Sequence, residues 1–134
     1  MLVQSFGFKH GVPVDSDFVF DVRCLPNPYW DTSLRGLTGL DGEVQAFLDR
    51  EQDTGKLFDD MTDFLSRWLP RFRSTNRSYM TISIGCTGGQ HRSVYMAEKL
   101  GAYLHAQYNN VQVRHTEMLH LQDHEPTLET PDPK

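Results

Sequence analysis

The sequence predicts an α/β fold: a single domain with a small central sheet flanked by helices and a ligand crevice at the strand carboxyl ends. Three observations predict it. Short runs of strand character recur along the chain. Segments of helical periodicity separate the later ones. A glycine-rich loop then joins the third run directly to a helix, which is where open α/β sheets hold ligands. A length of 134 residues suits one compact domain, and eight Phe, five Tyr and two Trp supply bulk for its core.

The elements follow in order. Leu2–Phe6 reads as a short strand and Ser5–Pro13 as a loop whose glycines bracket Lys9 and His10. Phe18–Cys24 reads as a second strand, with Phe18, Phe20, Val22 and Cys24 on one side and Val19, Asp21 and Arg23 on the other. Pro26 and Pro28 break it. Asp41 is placed to cap a helix that presents Val44, Phe47 and Leu48 on one face. A second helix carries the core-facing stripe Leu57, Phe58, Met61, Phe64, Leu65, Trp68 and Leu69, and Pro70 is expected to stop it. Arg71–Arg77 reads as a polar loop, and Tyr79–Gly85 as a third strand. A helix is expected from Arg92 or Ser93 to about Gln107, a turn at Asn109-Asn110, and a fourth strand over Val111–His115. The division of the chain is therefore residues 1–116 as the folded domain and 117–134 as an acidic, flexible tail.

Charge follows the same division. Of 13 Lys/Arg and 18 Asp/Glu, the last 18 residues hold five acids and Lys134, so residues 1–116 are close to neutral. Such a domain lacks the strong positive field of a general nucleic-acid binder. Arg67, Arg71, Arg73 and Arg77 are candidates for a local basic patch, or for ordinary solvated charge around a helix end. No apolar run approaches the length of a membrane span, and Met1–Ser5 lacks the basic flank and apolar centre of a signal peptide. Cys24 and Cys86 stand in no metal-ligand spacing, so no metal is expected. A reducing cytoplasm is the simplest setting, with a Cys24–Cys86 disulfide as the less favoured reading.

The passage Ile82–Met96 carries the chemistry. Gly88 and Gly89 let backbone N–H groups approach an anion, and the helix start adds further N–H groups and a positive dipole end. Thr87 and Ser93 offer hydroxyls, Arg92 a planar fork matching two phosphate oxygens, and His91 a donor or a positive charge. If the first three strands are parallel neighbours, Lys9-His10, Arg23 to Asn27 and Cys86 to Ser93 line one crevice. Asp21 either pairs with Arg23 or serves a ligand that also carries an amine or hydroxyls. Arg35 and Tyr29-Trp30 are placed to close over the site or to pack the surface. The alternative is a cysteine-dependent phosphatase. Cys86, five intervening residues, Arg92 and Ser93 have that spacing, which would make Cys86 a nucleophile and Arg92 its phosphate clamp. The leaving group needs an acid; Asp21, Asp31 and Asp41 are near in sequence, but none has a recognisable acid-loop context.

Four separated motifs, Ser5–Pro13, Val19–Pro28, Gly39–Asp41 and Ile84–Val94, resemble in order the C-terminal domain of the RapZ family of bacterial RNase adaptor proteins. The likeness runs from about Val3 to His115. It implies an α/β domain similar to a sugar-phosphate-kinase subdomain, isolated here from the P-loop-bearing N-terminal domain of the full-length proteins, which bind nucleotide. It also implies an oligomeric sensor of glucosamine-6-phosphate that presents small regulatory RNAs to RNase E and so controls amino-sugar synthesis. No cofactor is implied, and the chain is expected to be a sensing or adaptor domain, not a free-standing enzyme. Carried over by motif, the ligand residues are Asp21, Arg23, Asn27, Thr87, Gly88, His91 and Arg92, beside Gly89 and Ser93 of the same loop. A phosphorylated amino sugar would set its phosphate on the loop and Arg92, and its ammonium at Asp21. Two departures stand out. Tyr29 occupies a position where the family pattern leads one to expect histidine, which alters a ligand contact. The short basic tail of RNA-binding members is replaced by an acidic one, which repels phosphates.

Overall fold

A computed structural model describes residues 1–75 and 79–118. Four strands, β1 (Leu2–Gly7), β2 (Phe18–Asp21), β3 (Thr81–Cys86) and β4 (Gln112–His115), form one parallel sheet in the order β2-β3-β1-β4. Three helices accompany it, α1 (Gly42–Asp49), α2 (Gln52–Arg73) and α3 (Arg92–His105), with single 3-10 turns at Phe8–His10 and Pro28–Trp30. Because every strand runs the same way, the loops after β1, β2 and β3 meet at one end. The expected parallel neighbours are therefore real, and β3 lies at their centre.

The two faces of the sheet differ. Val3, Ile82, Ile84 and Val113 join Met96, Ala97, Leu100 and Leu104 of α3 and Met61, Leu65 and Leu69 of α2 in the main core. On the other face the connection from β1 to β2 crosses β3. Ser16 Oγ lies 2.5 Å from Ser83 Oγ, Gln4 Nε2 donates to Ser83 at 3.1 Å, and Asp17 accepts from the Thr81 N–H at 2.8 Å. The polar side chains of Gln4 and Ser83 are buried because this seam bonds them, and Thr81 is buried where the seam bonds its backbone, so β1 and β3 are buried on both faces rather than alternating.

Several expected boundaries move, each for a local reason. β2 ends at Asp21 instead of Cys24. The Asp21 carboxylate takes the Arg23 N–H at 2.9 Å, and the Leu25 N–H closes a turn on Val22 at 3.2 Å, so the chain bends and Cys24 points to solvent. Both cysteines are free thiols, which excludes the disulfide reading. Pro70 does not stop α2, which runs on to Arg73 with Ser74 N–H bonded to the Pro70 carbonyl at 3.0 Å. Arg71–Arg73 is thus helical, and Arg77 lies outside the described residues. The core-facing row of α2 is Thr54, Met61, Leu65 and Leu69; Phe64 and Trp68 lie at its margin, with Phe64 edge-on to Phe18 and Phe20. Asp41 occupies the N-cap of α1, but its carboxylate turns back to accept the Thr38 N–H at 2.8 Å.

Past β4, the Thr116 N–H and hydroxyl both donate to the Ser5 carbonyl, at 3.1 and 2.9 Å. Glu117 accepts the Gly7 N–H at 3.1 Å, and Met118 is buried. Residues 119–134, most of the segment read as a tail, lie outside the described residues.

Candidate functional site

The loop from Thr87 to His91 leaves β3 at the middle of the sheet and enters α3 directly. Its shape depends on close backbone contact with the end of β1. A Cβ on Gly7 would lie 2.6 Å from the Gly88 carbonyl carbon, and Gly89 holds φ +78 against Gly7 and Glu117. In this conformation the N–H groups of Gly88, Gly89 and Gln90 find no acceptor among the described residues. They stand beside the N-terminus of α3, the positive end of its dipole.

Arg92, the first residue of α3, is buried. Its Nη1 donates to the carbonyls of Arg23 and Leu25 at 2.8 and 2.9 Å, and Nη2 reaches Thr87 Oγ1 at 3.5 Å. Its Nε has no partner among the described residues. The guanidinium therefore ties the loop after β2 to the loop after β3, while its charge remains at the cavity wall.

His91 is also buried. Its Nε2 lies 3.1 Å from the Leu34 carbonyl, which can only accept, so Nε2 carries the proton. Burial pushes its pKa below the ordinary 6.5, against the weaker pull of backbone hydrogen bonds from the Leu34–Leu37 turn. His91 is thus a neutral donor anchoring residues 34–37, not the positive charge the sequence allowed. Gln90 assists, with Nε2 donating to the Arg35 and Leu37 carbonyls at 2.9 and 2.6 Å.

A cavity of about 320 Å³ opens over this loop, lined by Thr87, Gly88, His91, Arg92, Asn27 and Lys9, with Tyr29 and Trp30 at its margin. Asn27 caps its own turn, its Oδ1 accepting the Tyr29 N–H at 3.1 Å. Arg35 stacks over the Tyr29 ring at 4.4 Å and holds the Tyr29 carbonyl at 3.0 Å, which fixes the aromatic margin. A second hollow of about 490 Å³ adjoins the first through Lys9, Gly88 and Gln90 and is bounded by Thr38, His10 and Glu117.

Not every expected residue reaches the cavity: Gly89 packs against Gly7 and Glu117 and lines neither hollow. Asp21 and Arg23 form a bidentate pair, with Nε and Nη2 at 2.9 and 2.6 Å from the carboxylate, and Arg23 stacks over Phe8 at 3.9 Å. Arg23's hydrogen bonds hold the Asp21 carboxyl below its ordinary range. Neither side chain lines the cavity, and both are half-exposed. Ser93 is fully buried behind the loop, where its Oγ accepts from the Cys86 thiol at 3.1 Å and its N–H points at Cys86 Sγ at 3.4 Å. Cys86 itself is at the cavity floor. The three acid candidates have other engagements. Asp21 holds Arg23, Asp31 accepts the Ser33 N–H and hydroxyl at 3.0 and 2.7 Å, and Asp41 accepts the Thr38 N–H. Among the described residues no group of three or more His, Cys, Asp or Glu is arranged to hold a metal, and no helix is long and apolar enough to cross a membrane.

Sequence reading missed Glu117 as a wall residue, because it looked like the start of a tail. The available signal was its position two residues past β4, at the same end of the parallel sheet as the glycine loop.

A sequence model of the RapZ C-terminal domain matches residues 1–119. The chain belongs to that family. Among curated relatives of the RapZ domain, a nucleotide-binding protein of Marinobacter nauticus is 70% identical over 122 residues, which is 91% of this chain and 42% of the relative. Nucleotide-binding proteins of Hahella chejuensis and Thioalkalivibrio sulfidiphilus are each 60% identical, over 88% of this chain and 41% and 42% of their own lengths. The chain thus spans about two fifths of these relatives.

Proposed function

We propose that this domain is a metabolite sensor that binds a phosphorylated amino sugar, glucosamine-6-phosphate, at the Thr87–Arg92 loop. The observation that carries the reading is the convergence of the unengaged N–H groups of Gly88 and Gln90, the α3 N-terminus and a buried guanidinium on one cavity. Such an arrangement stabilises a phosphate and offers little to a neutral ligand. Thr87, Gly88 and Arg92 hold the phosphate, Gly89 sets the turn of the loop, Asn27 and His91 shape the pocket, and Asp21, Arg23 and Ser93 act from its rim and rear. Lys9 adds an exposed positive charge to the same wall. In the cell the domain works in the cytoplasm, as part of a homo-oligomer, and reports ligand occupancy to small regulatory RNA, RNase E or other protein partners, thereby adjusting small-RNA decay and amino-sugar synthesis. It does so as an adaptor and not as an enzyme.

Calorimetric titration with glucosamine-6-phosphate, glucose-6-phosphate, inorganic phosphate and a nucleoside triphosphate tests the ligand. The amino-sugar phosphate is expected to bind tightest. Equal affinity for all would reduce the site to a generic anion cradle, and preference for the nucleotide would transfer to this domain the property named for its relatives.

One observation favours a second reading, a cysteine-dependent phosphatase: Cys86 Sγ sits 3.1 Å from the Ser93 hydroxyl, on the floor of the phosphate cavity. Turnover of a generic aryl phosphate that disappears in Cys86→Ser would establish it. No turnover by the intact chain is the expected result.

A further inference from the structure

The crevice contains a carboxylate that the ligand set carried over by motif does not include. Glu117 lies in the hollow that continues from the phosphate cavity past Lys9, Gly88 and Gln90. Its position is fixed from the backbone. Oε2 accepts the Gly7 N–H at 3.1 Å and a longer contact from the Thr116 hydroxyl at 3.4 Å. The side chain also lies flat against the phosphate loop, since a Cβ on Gly89 would meet Glu117 Cγ at 2.4 Å. Among the described residues Oε1 approaches only His10 Nε2, at 3.6 Å, too long for a good hydrogen bond, so there it retains acceptor capacity on the hollow it lines. Thr38 stands on the same wall.

A fixed carboxylate beside an anion cradle repels a simple anion but complements a ligand with a cation at its other end. Asp21 is a poorer candidate for that task. It already holds Arg23 through the Arg23 N–H, Nε and Nη2, and it lines neither hollow. We propose that Glu117 is the specificity-determining carboxylate of this crevice, accepting the ammonium of a phosphorylated amine whose phosphate rests on the Thr87–Gly89 loop. This rests on the phosphate reading given above. The role requires only that the amine lie one sugar ring or a short chain away from the phosphate.

The test is titration of the intact chain, Glu117→Gln and Asp21→Asn with glucosamine-6-phosphate, glucose-6-phosphate and inorganic phosphate, at a pH where the amine is protonated. Glutamine keeps an oxygen for the Gly7 N–H, and equal thermal midpoints confirm that the fold is kept. The intact chain is expected to prefer the amino sugar by about tenfold or more, the scale of one charge-assisted hydrogen bond. Glu117→Gln is expected to bring that ratio to near one by weakening only the amine-bearing ligand. The proposal is overturned if the ratio survives Glu117→Gln, if that variant tightens all three ligands equally, or if Asp21→Asn alone removes the ratio. Phosphate binding by the intact chain with no amine preference sinks this proposal and spares the phosphate cradle. Failure of all three ligands to bind sinks both.

Discussion

Arg92 is tied into the fold and, on the proposed function, also meets the ligand. Its Nη1 satisfies two carbonyls of the β2 loop, and its charge faces the cavity. Arg92→Ala should therefore abolish phosphate binding and also destabilise the domain by about 1–3 kcal/mol for each carbonyl left unpaired, measured by urea denaturation alongside phosphate titration. Loss of binding without loss of stability would show that the carbonyl bonds contribute nothing net. His91 gives a pH prediction. Burial lowers its folded pKa below 6.5, so the unfolded chain takes up the proton first as pH falls. The stabilisation is fully present above about 6.5 and is lost as pH drops toward the folded value. The thermal midpoint should fall on acidification below pH 6.5, and His91→Gln should flatten that component; an unchanged slope would reject it. At this scale much of the cradle was legible. Thr87, Gly88 and Arg92 carry their chemistry in residue type and order. Asp21 was legible only as a choice between ion pair and ligand contact, because a charge does not announce its partner. Glu117 was not legible at all, since its place beside the loop comes from a strand that brings it back to Gly7.

Elements meet here with little clearance. The end of β1 and the loop after β3 touch backbone to backbone, so a methyl group at Gly7 has nowhere to go. Gly7→Ala should cost about 1–3 kcal/mol by overpacking and should weaken phosphate binding as well, because the displaced atoms belong to Gly88. A stability loss with unchanged phosphate affinity would separate the contact from the site. In α2 the fully buried Leu65 sets the spacing between helix and sheet, and Leu65→Ala should lower stability by about 2–5 kcal/mol while leaving ligand affinity nearly intact. Helix and strand positions were readable from apolar period. Their ends were less so. The turn that ends β2 depends on an Asp21 side chain bonding the backbone two residues on, and α2 continues through Pro70, which forfeits its own N–H bond to the preceding turn while its carbonyl still accepts the Ser74 N–H.

For the whole molecule, the sheet order decides where function can sit. Parallel strands gather three loops at one pole, and both the fold class and that pole follow from the order of strand and helix patterns. What periodicity cannot supply is the polar seam beneath Ser16, Gln4 and Ser83, which buries residues that look solvent-facing. Charge also belongs to this scale. Arg71 stacks on Trp68 and Arg73 on Tyr108, each at 4.9 Å, and Arg71 Nη1 holds the Arg67 carbonyl, so this basic surface is partly engaged within the fold. Mobility-shift titration with a structured small RNA should accordingly show weak binding that falls steeply with salt; tight binding insensitive to salt would contradict it. Finally, the bridge from Arg92 to the carbonyls of Arg23 and Leu25 has a thermodynamic meaning. It seats the guanidinium against the loop after β2 as part of the folded structure itself. The ordering entropy of the loop is then charged to folding and not to association, so a ligand meets a preorganised wall and gives up chiefly its own freedom.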